Sequence, residues 1–200
     1  MGRSALVTVI AGLLAATAAL APVQAPAQAA PQAQDTPKLV PDQDVEINYR
    51  VNRPDEPAFN RRVRWSAASA LERADGPGSS VVIVDHKSNY ETLLRSDTHS
   101  YLKLEVPKGT ALYPDPDLQR TAGGQATVAG LSCTDWNWTG PADGRSRSIC
   151  VTDSGVLLRV AVNGQTVILA KSVHFRKMKP AIFDIPNNYV PSLAPDGPGG

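Results

Sequence analysis

The residue types that could do chemistry are few and far apart in the chain. There are three histidines, His86, His99 and His174, and two cysteines, Cys133 and Cys150. No two histidines have the spacing of a zinc site, and a disulfide-bonded pair of cysteines cannot ligate zinc as thiolates. We therefore expect neither a metal nor another cofactor.

Asp85 and His86 are neighbours and could form an acid–base dyad. Asp85 ends a predicted strand and His86 opens the next turn, where both side chains are usually solvated. The chain has no Gly-x-Ser-x-Gly nucleophile elbow. Gly123-Gly124 matches no phosphate-binding pattern and is predicted to be a loop. We therefore expect no catalytic residues and a protein that is not an enzyme.

The aromatic and basic side chains have both functional and structural interpretations. Trp136 and Trp138 could form a platform for a ligand, or could be core and rim residues of a sheet. Arg61, Arg62 and Arg64 are predicted to lie on the solvated face of a strand. With a net charge of +1 and no basic stripe, the chain is not expected to bind nucleic acid.

The elements that must position these residues are strands. Asn163-Gly164 lies between two β-branched runs and predicts a type I′ hairpin, and Gly155 permits a similar reversal. Four strands are therefore predicted between Val128 and Phe175, at 130–138, 147–152, 156–162 and 165–175.

The turns also predict a register. The Asn163-Gly164 turn would pair Val160 with Val167 and Leu158 with Leu169. The Ser154-Gly155 turn would pair Val151 with Leu158 and Ile149 with Val160. Because side chains alternate between faces, one face becomes continuously apolar and supplies the candidates for a ligand groove. They are Trp136, Ile149, Val151, Leu158, Val160, Val167, Leu169 and Phe175, with Val162 and Val173 beside them.

Placing Cys133 opposite Cys150 extends this register to the preceding strand. It sets Trp136 opposite Arg147, which predicts a cation–π contact between them, and Trp138 near Arg145. A disulfide between the cysteines suits an exported chain. For a loop of this length it should stabilise the fold by about 3 kcal/mol.

The first half of the chain is also predicted to form strands, at 44–51, 62–66, 80–85, 91–95 and 101–106. For the second of these, a helix beginning near Glu56 is the alternative, because Phe59, Val63 and Leu71 have helical spacing. About nine short strands predict a mainly β fold with little helix: a single curled antiparallel sheet of meander topology, either a half-barrel or a small barrel.

The N-terminus predicts export. A short basic start precedes the apolar stretch Ala5–Ala21, and Ala27-Gln-Ala29 is a small-x-small cleavage site. Residues 1–29 are thus a predicted signal peptide, and no stable membrane span is expected after cleavage near Ala29. An Ala/Gln/Pro leader (30–41) and a tail (191–200) are predicted to be disordered around a β domain at 42–190. The expected location is the periplasm, or outside the cell.

Several segments together resemble a known kind of protein: the apolar strand that ends at Asp85, Val128-Ala-Gly-Leu-Ser-Cys133, Cys150-Val-Thr-Asp-Ser-Gly155 and the closing Ile182-Phe-Asp-Ile-Pro-Asn-Asn-Tyr189. This order resembles an uncharacterised family of exported proteins from Gram-negative bacteria, which is similar to the half-barrel of periplasmic lipoprotein carriers. The carriers hold acyl chains on a concave apolar sheet that a helix plugs. The family provides no catalytic residues to carry over.

Two functions follow as expectations. The apolar face could be a groove for a lipid, an acyl chain or another apolar ligand. Alternatively, the same face could be the closed core of a structural or interaction domain whose partner is a protein of the cell envelope. What closes the concave face would separate these two functions, and Ala111–Gln125 or the N-terminal leader are the candidates for that role.

Overall fold

The computed structural model describes residues 36–106, 120–140 and 143–192, all within the compact unit Ala33–Gly200. The predicted signal peptide, residues 107–119 and the last eight residues of the tail lie outside the described residues. The described chain forms twelve strands and one 3₁₀ turn, Pro180–Phe183. The strands are β1 Val45–Val51, β2 Phe59–Ser66, β3 Leu71–Asp75, β4 Ser80–Asp85, β5 Tyr90–Arg95, β6 Ser100–Glu105, β7 Thr121–Val128, β8 Leu131–Thr139, β9 Ser146–Val151, β10 Leu157–Val162, β11 Gln165–Phe175 and β12 Val190–Pro191.

The strands form one sheet in the order β12-β6-β5-β4-β3-β2-β1-β11-β10-β9-β8-β7. It consists of two meanders, β1–β6 and β7–β11, which meet where β1 pairs antiparallel with β11. Only the short β12 runs parallel to its neighbour, β6, among the described strands. The terminal strands β7 and β12 do not pair with each other in the described part of the chain. The predicted class, a mainly β protein built on a single antiparallel sheet, is confirmed.

Short turns produce this order, because each turn places the next strand directly beside the preceding one. Asn163 and Gly164 have φ values of 48° and 77°, as the predicted type I′ turn requires. Ala129-Gly130, with φ values of 50° and 80°, makes an equivalent turn between β7 and β8. Between β1 and β2 the structure has the strand Phe59–Ser66, so the strand interpretation of that segment is confirmed over the helix.

The predicted register is wrong at two bulges. Val162 pairs with Gln165 across the turn, but Val160 pairs with Ile168 instead of Val167, because an extra residue bulges from β11. Ile149 pairs with Val160 as predicted, whereas Val151 pairs with Leu157 instead of Leu158. A bulge places two residues of one strand against one of the other, so it shifts every later pair.

Cys133 and Cys150 form the predicted disulfide between β8 and β9, with their Cα atoms 5.4 Å apart. The cysteines are not directly opposite, however, since Asp135 is the residue that pairs with Cys150. The bond joins diagonal neighbours on one face of the sheet. Both cysteines are buried in a core that includes Val128 and Leu158.

The sequence predicted nine strands, and three were missed. Gly123-Gly124 lies inside β7, not in a loop, because a register shift between Ala122 and Gln125 accommodates the two glycines. β3 was missed because Leu71-Glu-Arg-Ala-Asp75 contains good helix formers and no β-branched residue. β12 spans only two residues.

The segment after β11 crosses to the first meander and covers one of its faces, here called the convex face. Met178, Phe183, Ile182, Ile185 and Tyr189 pack on Ile83, Leu94, Val81, Leu71 and Tyr101. Hydrogen bonds from backbone N–H groups hold both ends of this C-terminal segment in place. Met178 donates its backbone N–H to Asp44 Oδ2 at 2.7 Å, and Val190 donates to the carbonyl of His99 at 2.9 Å.

Candidate functional site

The opposite face of the sheet carries two adjacent cavities and is here called the concave face. In β1, the alternate residues Val45, Ile47, Tyr49 and Val51 point to this face and are buried. Cross-strand pairing continues the face through β2 to β4 with Phe59, Arg61, Val63, Trp65, Glu72, Ala74, Val82 and Val84. The first meander therefore supplies much of the lining of both cavities.

The larger cavity, the outer groove, has a volume of about 890 Å³. Its floor is formed by side chains of β1 to β5 and β11, among them Val51, Ala74, Val82, Val84 and Ile168. The β1–β2 loop, residues 52–58, forms one wall. This volume lies within the usual range for small-molecule sites.

The smaller cavity, the inner pocket, has a volume of about 60 Å³ and a mainly apolar lining. Ile47, Val63, Trp65, Ile149 and Val151 contribute to that lining, and Leu39 and Pro41 cover it. Val51, Arg61, Glu72 and Ile168 line both cavities and so mark the boundary between them.

The residues that cover the inner pocket form the N-terminal strap, residues 37–41. Trp65 Nε1 donates to the carbonyl of Pro41 at 3.0 Å, and Asp42 donates its backbone N–H to Ser154 at 3.0 Å. A Cβ on Gly155 would lie 2.2 Å from the carbonyl oxygen of Val40. The sequence assigned these residues to a disordered leader, and in the structure they pack against the concave face. The other candidate for closing this face was Ala111–Gln125. Its residues 111–119 lie outside the described residues, and residues 121–125 belong to β7 at the edge of the sheet.

Tyr49 links the floor of the inner pocket to β10. Its hydroxyl donates to the carbonyl of Leu157 at 2.6 Å. Burial raises the pKa of Tyr49 well above its usual range, and the negative charge of Glu72 raises it further. The phenol is therefore neutral and holds a fixed hydrogen bond at physiological pH.

Ionisable groups at the boundary between the cavities include an acid–base pair. Glu72 is only 5% exposed, and its Oε2 lies 3.5 Å from His86 Nε2. The His86 ring also contacts the ring of Trp65 edge-on, with centroids 5.0 Å apart. Asp85, the neighbour considered as a dyad partner of His86, instead accepts hydrogen bonds from the backbone of Lys87 and Ser88, and the bonds to Ser88 lower its pKa.

The basic cluster of β2 is divided between the two faces. Arg62 and Arg64 lie on the convex face and both pair with Asp75. Arg61 lies on the concave face, so the prediction of one solvated cluster is wrong for this residue. Burial lowers the pKa of Arg61, and the charge of Arg53 lowers it further, whereas Glu72 and Glu91 act in the opposite direction.

The predicted groove residues are distributed over several environments. Ile149 and Val151 line the inner pocket, and Val167 lines the outer groove. Trp136 and Val160 are buried against Ile149 and Val151.

The remaining three candidates lie elsewhere. Leu158 is fully buried in the core beside the disulfide. Leu169 pairs with Arg50 and Arg159, and Phe175 pairs with Val45 and is 42% exposed. The sequence did not identify the groove residues of β3 and β4, although the clean alternation in β1 could have indicated the face that they share.

The predicted contact between Trp136 and Arg147 is wrong. Trp136 pairs with Ile149, and Trp138 is the residue opposite Arg147. The guanidinium over the Trp138 ring is that of Arg120, 5.4 Å from the ring centroid. Arg147 instead forms an ion pair with Asp143.

The described residues contain no group of three or more His, Cys, Asp or Glu side chains arranged to hold a metal ion. Within the same residues, no helix is both long enough and apolar enough to cross a membrane.

Comparison with known proteins shows a similar fold in solved structures. No protein-family model matches the chain, and no curated protein matches it. An uncharacterised conserved protein from Thermus thermophilus is similar over 76% of this chain and 91% of its own, with a TM-score of 0.56 and 10% identity. At that identity the likeness shows the fold alone. A structure of PNGF-II matches 76% of this chain and 31% of its own, with 14% identity and a TM-score of 0.48, which carries no argument.

Proposed function

We propose that the protein is an exported, non-enzymatic binding protein that holds a lipid or similar apolar ligand in the outer groove. One observation carries the proposal: an open groove of about 890 Å³ on the concave face, floored by apolar side chains of five neighbouring strands. A closed core would fill this space with side chains, because protein interiors are close-packed. An accessible apolar surface of this kind is usually a binding site.

The proposed location is the periplasm, or outside the cell. The disulfide between Cys133 and Cys150 supports it, because such bonds persist in oxidising compartments. The resemblance to periplasmic lipoprotein carriers, which hold acyl chains on a concave sheet, is consistent with the same proposal. In this chain the N-terminal strap, rather than a helix, would cover part of the concave face.

The test is binding of a fluorescent long-chain fatty acid to the wild type and to Val82→Trp. Val82 lies half-buried on the groove floor, so an indole there should occupy the space of the ligand and weaken binding at least tenfold. Leu104→Trp is the matched control, because Leu104 lies 42% exposed on β6, outside the lining of the groove. Circular dichroism should show that both variants are folded.

Binding that is equal in the wild type and Val82→Trp would place the ligand elsewhere and contradict the proposal. If the wild type binds no probe at micromolar concentration, the alternative gains support: an interaction domain of the cell envelope. Substitution of Val160 or Leu158 by Asp would be a weaker test of the groove. Both side chains are buried outside its lining, so a loss of binding would result from unfolding of the variant.

A further inference from the structure

Two guanidinium groups converge on one aromatic ring in the wall of the outer groove. Arg53 Cζ lies 5.4 Å from the centroid of the Phe59 ring, and Arg61 Cζ lies 5.8 Å from it. All three residues line the groove. Two like charges held this close repel each other, so the arrangement favours an anion that can lie near both.

Arg61 forms no ion pair with a carboxylate in the described part of the chain. Among the described residues, no Asp or Glu oxygen lies within ion-pair distance of its guanidinium, and its Nε is buried without a hydrogen-bond partner. A buried donor without a partner is costly, since it has lost water and gained nothing. A ligand carboxylate beside this guanidinium would offset the cost that partial burial places on its charge.

The carboxylates of the groove limit the charge that the ligand can carry. Glu56 pairs with Arg53 at 3.3 Å, and Glu72 lies beside His86. Glu91 lies half-buried on the same lining. These three negative charges would oppose a polyanion. A head group with one negative charge can be accommodated next to Arg61, because Arg53 and Glu56 are both about half exposed and screened by water.

We propose that Arg61 anchors the head of the ligand and that the ligand is a long-chain carboxylate. This inference rests on the proposed binding function. The carboxylate would accept from the guanidinium of Arg61 beside Phe59. Its apolar chain would lie on the floor of Val51, Ala74, Val82, Val84 and Ile168.

The experiment compares a long-chain fatty acid with its methyl ester, which has the same chain and no charge. Both are titrated by calorimetry into the wild type, Arg61→Gln, Arg61→Lys and Arg62→Gln. Arg62 is the matched control because it is the next residue of β2, lies on the convex face, and shares Asp75 with Arg64 and Arg73. Thermal unfolding should confirm that all four proteins are folded.

We expect the wild type to bind the acid at least tenfold more tightly than the ester, because a hydrogen bond to a charged group contributes that much to affinity. Arg61→Gln should remove this preference and leave the affinity for the ester unchanged. Arg61→Lys should restore part of it, and Arg62→Gln should behave as the wild type.

Equal affinity of the wild type for acid and ester would overturn the role of Arg61 while leaving the proposed groove function intact. An equal loss in Arg62→Gln would overturn it as well, since the effect would then be one of general charge. If the wild type binds neither probe, both the anchor and the groove function are contradicted.

Discussion

At the scale of single residues, polar groups contribute to the concave face alongside its apolar side chains. Tyr49, Arg61 and Glu72 all belong to the cavity linings. Each of them has a different partner: Tyr49 donates a hydrogen bond to Leu157, Arg61 lies over the Phe59 ring, and Glu72 lies beside His86. The concave face thus combines fixed polar groups with apolar side chains such as Ile47, Val63 and Trp65.

The first prediction concerns the Tyr49 phenol. Replacement by Phe should lower the free energy of unfolding by about 1 kcal/mol at neutral pH, because the hydrogen bond to Leu157 is lost. Since the folded-state pKa of Tyr49 is raised above the unfolded value of about 10, its stabilising contribution is complete below about pH 10. The contribution is lost as the pH rises toward the folded-state value.

Urea unfolding at several pH values from about 8 to 11 would measure this dependence. The wild type should lose stability with rising pH faster than Tyr49→Phe, so the gap between them should shrink. Tyr90→Phe controls for the removal of a phenol as such, because Tyr90 is 39% exposed. A constant gap between the wild type and Tyr49→Phe over the whole range would contradict the linkage.

Single residues also limited what the sequence could predict about the site. The turn at Asn163-Gly164 was correct, since its two residues must adopt positive φ. The bulge two pairs further along was not predictable, because Val160, Val167 and Ile168 are all apolar and fit either register. A second bulge, between Leu157 and Arg159 of β10, was also missed, so Leu158 was assigned to the groove although it belongs to the core beside the disulfide.

At the scale of elements, the N-terminal strap determines how much of the concave face is open. It contacts Trp65 in β2 of the first meander and Gly155 between β9 and β10 of the second. The sequence could not reveal the strap, because Pro37-Lys-Leu-Val-Pro41 is short, has a proline at each end and shows no strand alternation. Its packing depends on a glycine that is more than a hundred positions away.

Gly155→Ala should release the strap. A methyl group there would lie 2.2 Å from the Val40 carbonyl oxygen, a separation that atoms cannot adopt, so the strap must move. Trypsin should then cleave after Lys38 several-fold faster than in the wild type, as measured by mass spectrometry of the digest. The stability cost of an alanine at positive φ, about 1 kcal/mol, accompanies the change.

Gly164→Ala is the matched control for this prediction. Gly164 has a φ of 77°, close to the 86° of Gly155, but no atom lies within 4 Å of a Cβ built there. The control therefore carries the same backbone strain without touching the strap. Cleavage after Lys38 at equal rates in the two variants would mean that strain alone, and not the contact with Val40, controls the strap.

At the scale of the whole molecule, the C-terminal segment joins the two meanders. It leaves β11 of the second meander and packs on the convex face of β3 to β6 in the first. Arg73 of β3 donates to the carbonyl of Ile182 at 2.7 Å. Asp44 accepts from the backbone of both Ala67 and Met178. The fold class could be predicted from the alternation of apolar residues and from the turns. The packing of the C-terminal segment on the first meander could not, because this segment has no periodic pattern of apolar residues.

Phe183→Ala should therefore weaken the entire sheet, not only the face that Phe183 covers. The ring is 7% exposed and packs with Ile83 and Leu94, so its removal should lower the free energy of unfolding by about 3 kcal/mol or more. Val190→Ala, at a position that is 61% exposed, is the control and should change it by less than about 0.5 kcal/mol. Urea unfolding would measure both changes in stability.

Native-state hydrogen exchange would show how far the loss extends through the sheet. Because β1 pairs with β11 and makes the sheet continuous, the amides of β5 and β9 should lose protection by the same factor in Phe183→Ala. A loss confined to β5 would show that the meanders unfold separately and that the C-terminal segment stabilises only the one it covers.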